Sequence, residues 1–301
     1  NSYIQPKRMR TAAHLKLNPD LTRYRNGYPG ATLNNERKNR NVRFYRNEIR
    51  SEPQGEFIDI MHKEWATDYR ELELNHGYIQ WLFPIHEEGV NDCAQVLQRH
   101  EAETMKNDPA IRERIKRSYS MMLQFYGARV VDWDTGELER THQFADRFKN
   151  LNQKWHNFLR ITRILKFLGE VDFEYLKLPF LKFFAREALV FRTLPSIIGS
   201  LRNYWAGTLK SNEELRQYIS LLNDPARLQE PSPKKLCTKE DSNSKPAQAA
   251  LETTTTAAKL EPSEEGKGTS TGADDSGSQE QSQATTVAAD DDELDPDSVE
   301  L

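Results

Sequence analysis

Chemistry in proteins is carried mostly by histidine, cysteine and convergent carboxylates, and this chain spreads them thinly. Its seven histidines stand at positions 14, 62, 76, 86, 100, 142 and 156. His62, His76 and His86 flank the phrase YIQWLFP (78–84) and could converge with Glu87 or Glu88 on a metal, but no tight ligand spacing supports that arrangement. The plainer alternative is three separate solvent-facing or helix-end histidines. Cys93 and His100 are seven residues apart, roughly 10 Å along a helix. That is too far for a nucleophile and its base. No G-x-G-x-x-G, Walker A loop, H-E-x-x-H, EF-hand loop or C-x-x-C occurs. These absences argue against an enzyme, and no metal or cofactor is expected.

Binding chemistry is better represented. YIQWLFP packs Tyr78, Ile79, Trp81, Leu82 and Phe83 together and is followed by the acidic IHEEG (85–89). Trp81 and Phe83 could supply ring contacts to a ligand, with Glu87 or Glu88 as the anion. The competing reading buries the whole phrase as a helix end. A second resource is basic. Residues 1–50 hold twelve Lys or Arg against three acids, clustered at PKRMR (6–10) and ERKNRNVRFYR (36–46). Lys7, Arg8, Arg10, Arg37, Lys38 and Arg40 suit the grooves of nuclear import receptors. The same charge is compatible with nucleic-acid contact or with a merely solvated arm.

The elements that must position these groups read as helices. Phe57, Ile60, Met61 and Trp65 share helical spacing, and Thr67 opens a run that Pro84 closes. The clearest helix starts at Asp108 with Pro109 behind it and stops at Gly127; Ile111, Ile115, Tyr119 and Met122 mark its apolar face. Residues 129–140 break the helical period, and the DTG within them marks a turn, compatible with a small hairpin. Trp155–Leu168 is apolar on two sides, which predicts a central helix ended by Gly169, with Arg160, Arg163 and Lys166 as a basic surface strip. Pro179 opens another helix, and a weaker one covers 197–208. The expectation is an all-α fold of six to eight helices in one compact domain over 44–210. Residues 1–43 read as a basic, poorly ordered arm and 211–231 as a terminal helix or linker.

Whole-chain composition agrees. The 301 residues are only 37% apolar and carry a net charge of −4. From Ser232 to Leu301 there are sixteen acids and six bases, so the tail carries −10 and the remainder +6. A segment so poor in large apolar residues is expected to stay disordered and acidic, available to protein partners. Two cysteines, one of them in that tail, favour a reducing, intracellular setting. No apolar run reaches the length of a membrane span. The chain starts at Asn1 rather than Met, which reads as a fragment or a processed product.

Several phrases taken together are more specific. RYRNGYP (23–29), FYRNEI (44–49), NHGYIQWLFP (75–84), EEGVN (87–91), RFKNLN (147–152) and HNFLRITRILKFLGE (156–170) occur in the order seen in the opioid growth factor receptor family, and LKFFAREALV (181–190) resembles its closing helix. The resemblance spans about residues 23–210. It implies an intracellular receptor for the pentapeptide met-enkephalin, unrelated to seven-helix opioid receptors, which restrains cell proliferation. It further implies association with the nuclear envelope and signal-dependent nuclear entry, hence a location in the nucleus and perinuclear cytoplasm. The tail lacks the proline-rich tandem repeats of the best-known member, and RNYWAGTL (202–209) matches the family's end poorly, so the chain looks like a receptor-like member. The resemblance supplies no binding residues. Such a peptide brings a free amine, a Tyr and a Phe, which call for a carboxylate and two apolar slots; Trp81, Phe83, Glu87 and Glu88 are the candidates.

Overall fold

The computed structural model describes residues 17–31 and 33–229. The acidic segment 232–301, residues 1–16 and their three import candidates Lys7, Arg8 and Arg10 lie outside the described residues. Twelve α-helical segments occur among the described residues: α1 Pro19–Arg25, α2 Arg40–Tyr45, α3 Ile58–Ile60, α4 Tyr69–Leu74, α5 Ile79–Leu82, α6 Arg99–Asn107, α7 Pro109–Phe125, α8 Phe144–Gln153, α9 His156–Glu170, α10 Lys177–Leu189, α11 Ile198–Ser200 and α12 Asn212–Asn223. Six of them reach nine residues, and the rest are short turns between them, so the fold is all-α with more, shorter pieces than the periodicity predicts. Among the described residues the sheet is a single two-stranded hairpin, β1 Ala128–Asp132 with β2 Glu137–Arg140.

Local rules set the best-defined elements. The Asp108 carboxylate accepts from the Ala110 and Ile111 amides and Pro109 fills the first position of α7. Ile111, Ile115, Tyr119, Met122 and Phe125 are then buried along one face. Gly127, at φ +86°, turns the chain out of α7 into the hairpin. Asp132 closes the hairpin turn by accepting from the Asp134 amide at 2.9 Å.

The expected helix from Thr67 to Phe83 is broken in two. Asp68, not Thr67, caps α4. The chain leaves the helix at Asn75 because a buried guanidinium takes its last carbonyls. Arg160, 5% exposed, donates to the oxygens of Leu72 at 2.7 Å, Asn75 at 3.0 Å and Glu73 at 3.3 Å. A helix C-terminus leaves such acceptors unpaired and favours a cation there. The predicted basic surface strip is therefore mostly drawn inward, with Arg160 and Lys166 buried and Arg163 half-buried. Arg160 caps α4, Arg163 donates to the Phe83 oxygen at 2.9 Å, and Lys166 is enclosed. α9 is central as expected, with Ile161, Leu165, Phe167 and Leu168 all buried, and it runs through Gly169 to Glu170.

Two boundaries move outward. The described residues of 17–43 are no loose arm: Leu21, Tyr24 and Tyr28 are at most 1% exposed, Leu33 packs with the two tyrosines, and Val42 joins the main core. At the other end, α12 packs onto α10 through Tyr218 and Leu222. Residues 195–208 keep a helical path whose pitch changes from 3-10 to α to π and back, which lets Trp205 be fully buried against Phe158 and Phe180.

Candidate functional site

The structure encloses the aromatic phrase. Trp81 and Phe83 are fully buried; Trp81 packs on Phe44 at 5.4 Å and Phe83 on Phe167 at 5.7 Å between ring centroids. The Trp81 indole donates to the Glu52 oxygen at 2.9 Å. Neither ring presents a face to an arriving ligand, which corrects the reading of these two as ring contacts. The physical reason is composition: in a chain this polar, the largest side chains are needed to close the core. Arg40 covers Trp81 at 5.0 Å and pairs with Glu52 at 2.6 Å, so it is a structural cation. Arg37 and Lys38 are exposed.

The two acids part company. Glu88 is exposed, whereas Glu87 turns inward and takes both 2.9 Å bonds from the Lys166 ammonium. Lys166 also reaches Asp20 at 2.9 Å. Around this pair lies a cluster of charges that the sequence reading did not single out. Lys177 has no exposed surface; its ammonium donates to the Tyr24 hydroxyl at 2.6 Å and the Thr208 oxygen at 2.8 Å and pairs with Glu174 at 2.7 Å. Tyr24 in turn donates to the Lys166 carbonyl at 3.2 Å. Lys210 bonds the Gly169 oxygen at 2.7 Å and Glu170 at 3.2 Å. His86 presents one nitrogen to Glu170 at 3.3 Å and the other to the Leu97 oxygen at 2.7 Å.

Electrostatics follow from this crowding. Burial lowers Lys177 to about 8, with Glu174 only partly offsetting it. Burial would raise Glu170, but His86 and Lys210 more than compensate and hold it below the usual carboxylate range. Tyr24 is driven far up by burial and by the Glu174 and Glu170 charges, so its hydroxyl stays protonated. The result is a closed charge cluster between α9, residues 85–97 and residues 174–210, into which the rings of Tyr24 and Tyr28 pack. The ammonium groups of Lys177 and Lys210 stand 5.1 and 5.0 Å from the Tyr24 ring centroid. Tyr28 meets His86 edge-on at 5.5 Å.

One open concavity lies elsewhere, a groove of about 540 Å³ between α7, residues 59–66 and Trp133 of the hairpin. Its acids are engaged: Asp59 with Arg114 at 2.9 and 2.8 Å, and Glu113 with Arg117 at 3.5 Å. His62 hydrogen-bonds Ser118 at 2.8 Å, and burial lowers it to about 4, so it is neutral at pH 7. Ser118 is fully buried and offers no nucleophile to solvent. The three histidines weighed as a metal site go separate ways: His62 to Ser118, His76 to a ring contact with His156 at 5.4 Å, and His86 to Glu170. Among the described residues no three metal-ligating side chains converge, and no helix is long and apolar enough to cross a membrane.

The cluster had a faint signal in the sequence. Glu174 and Lys177 are three apart, helical spacing for a pair, and Lys177 opens an otherwise apolar stretch. Tyr24 figured only within a phrase of the resemblance.

Residues 34–230 match the family model described as the opioid growth factor receptor conserved region. The match runs on through RNYWAGTL (202–209), which resembles the family's end less than the other phrases do. The chain is 42% identical over 213 residues to the opioid growth factor receptor of Homo sapiens, covering 70% of this chain and 32% of that one. It is 40% identical over 216 residues to opioid growth factor receptor-like protein 1 of Mus musculus, covering 71% and 45%. The corresponding receptor-like protein of Xenopus tropicalis is 39% identical over 218 residues, covering 72% and 41%. The chain thus spans from about a third to under half of these relatives. No solved structure matches.

Proposed function

Because the chain belongs to the opioid growth factor receptor family, we propose that it is an intracellular receptor for an enkephalin-like peptide and a negative regulator of cell proliferation. The observation that carries the reading is the family match across nearly all of the described fold. In this reading the receptor works in the nucleus and perinuclear cytoplasm at the nuclear envelope. Lys7, Arg8, Arg10, Arg37 and Lys38 engage import receptors, and the acidic segment 232–301 contacts further proteins.

The test is calorimetric titration of the full chain with met-enkephalin and with its des-tyrosine analogue. Saturable binding of the first and none of the second is expected. Binding of neither would leave a helical interaction module whose partners are proteins or nucleic acid.

A further inference from the structure

The groove between α7 and residues 59–66 is open where the charge cluster at Tyr24 is closed. It follows α7 from Glu113 to Gln124, about 16 Å of helix. About five residues of extended chain cover that length. Glu113, Arg117, Ser120 and Gln124 recur at helical spacing along the open side of α7. Ala66 and the half-buried Trp133 ring give the groove an apolar part, over a buried Met121.

Its acids already have partners. Arg114 holds Asp59, and Arg117 holds Glu113. Asp132, beside Trp133 in the chain, is taken up by the hairpin turn, where it accepts from the Asp134 amide and the Thr135 hydroxyl. The two lysines differ. Among the described residues no carboxylate comes within ion-pair distance of Lys63 or Lys116. Lys63 is exposed, and the Lys116 ammonium stands 5.3 Å from the Trp133 ring centroid, held over an aromatic face rather than by an acid. His62 is neutral and adds no charge. With the two arginine pairs cancelled, the groove keeps the two positive charges of Lys63 and Lys116 beside an apolar part.

We propose that this groove docks a short, extended, acidic segment of a partner protein. Its carboxylates meet Lys63 and Lys116, and one aliphatic side chain lies against Ala66 and Trp133. Charge complementarity selects the partner: two ammonium groups without acids favour carboxylates and disfavour a basic segment. The open polar side of α7, through Ser120 and Gln124, supplies hydrogen-bonding groups to the backbone of such a segment. The inference is independent of the peptide-receptor reading, because a ligand recognised through a free amine gains nothing from unpaired lysines. Every residue it uses lies inside the family match over 34–230.

The experiment titrates the full chain with the blocked peptide acetyl-Glu-Asp-Leu-Asp-Glu-amide carrying a neutral dye, and follows fluorescence anisotropy at low and at physiological salt. Saturable binding that weakens with salt is expected. Lys63→Gln with Lys116→Gln should weaken it about tenfold or more. Lys63→Glu, at an exposed position, serves alone should the double variant not fold. Lys149→Gln with Arg192→Gln removes the same charge from exposed positions outside the groove and should leave the affinity unchanged. A peptide with Ser for Leu should bind several-fold more weakly, and one with Lys for each acid not at all. No saturable binding, or equal losses from the groove pair and the control pair, would overturn the proposal. So would an oligothymidylate that binds more tightly than the peptide and depends on Lys63 and Lys116, since the groove would then be a nucleic-acid contact.

Discussion

Gly169 gives the sharpest test of the cluster. It lies within α9, where alanine is normally favoured by about 1 kcal/mol. Here a β-carbon would sit 2.6 Å from the Glu174 carboxylate and closer still to the Tyr24 hydroxyl and the Lys177 ammonium. Gly169→Ala must therefore push apart a charge-assisted bond worth about 1.5–3 kcal/mol and strain the packing by about 1–3 kcal/mol. Set against the helix gain, the expected net loss is about 2–4 kcal/mol. Gly199, in α11, has nothing within 4 Å of its added β-carbon and serves as the control. Gly199→Ala should be neutral or stabilise by up to about 1 kcal/mol. Urea unfolding followed by tryptophan fluorescence gives both numbers, and hydrogen exchange at Tyr24–Tyr28 shows where the loss falls. A Gly169→Ala protein as stable as the parent would mean that Tyr24 and Lys177 do not meet over α9.

His62 makes stability depend on pH. Its folded value of about 4 lies below the ordinary 6.5, so the unfolded chain takes up the proton first. Stability should be full above pH 6.5 and fall by about 2–3 kcal/mol down to pH 4; His62→Gln should flatten that slope in urea midpoints. Glu187 is 1% exposed and paired with Arg140 at 2.5 Å. Glu187→Gln should cost about 3 kcal/mol by thermal unfolding, whereas Arg216→Gln, in a largely exposed pair, should cost under about 0.5 kcal/mol. Trp81→Phe should lower stability by about 2 kcal/mol through the lost bond to Glu52 and the lost volume, yet leave peptide affinity unchanged; a weakened affinity at equal foldedness would restore Trp81 to the site. Replacing Lys7, Arg8, Arg10, Arg37 and Lys38 by Ala, with Arg40 left in place, should hold a tagged protein in the cytoplasm under the microscope, and undiminished nuclear signal would rule these residues out.

The helical class and its best elements were legible because their causes are local. Asp108, Pro109 and Gly127 mark the ends of α7 by rules that act within a turn. The candidate site was much less legible, because its causes join distant parts of the chain. Lys166 meets Asp20, 146 positions away, and Lys177 meets Tyr24 across 153. Periodicity places α9's cations on a polar face and assigns that face to solvent. It does not register that a preceding segment covers one end and that the ragged carbonyls of α4 recruit Arg160 at the other. Gly169 illustrates the same limit: as a residue type it signals a stop, but its place is dictated by how closely a tyrosine approaches. Glu87 stood out by its acidic company, and the structure places it in an ion pair with Lys166; Trp81 and Phe83 stood out by size, which serves the core.

The buried segment 19–29 also bears on how this unit is cut for study. A fragment begun at residue 34, where the match to the family model starts, would discard Leu21, Tyr24 and Tyr28 while keeping everything they cover. Lys177 would lose its phenol partner, Lys166 would lose Asp20, and an apolar floor at Gly207 would meet water. Such a fragment should be sticky and short-lived at working concentrations, because the surface it exposes is interior in the whole unit. A start at or before residue 17 preserves the surface that partners encounter.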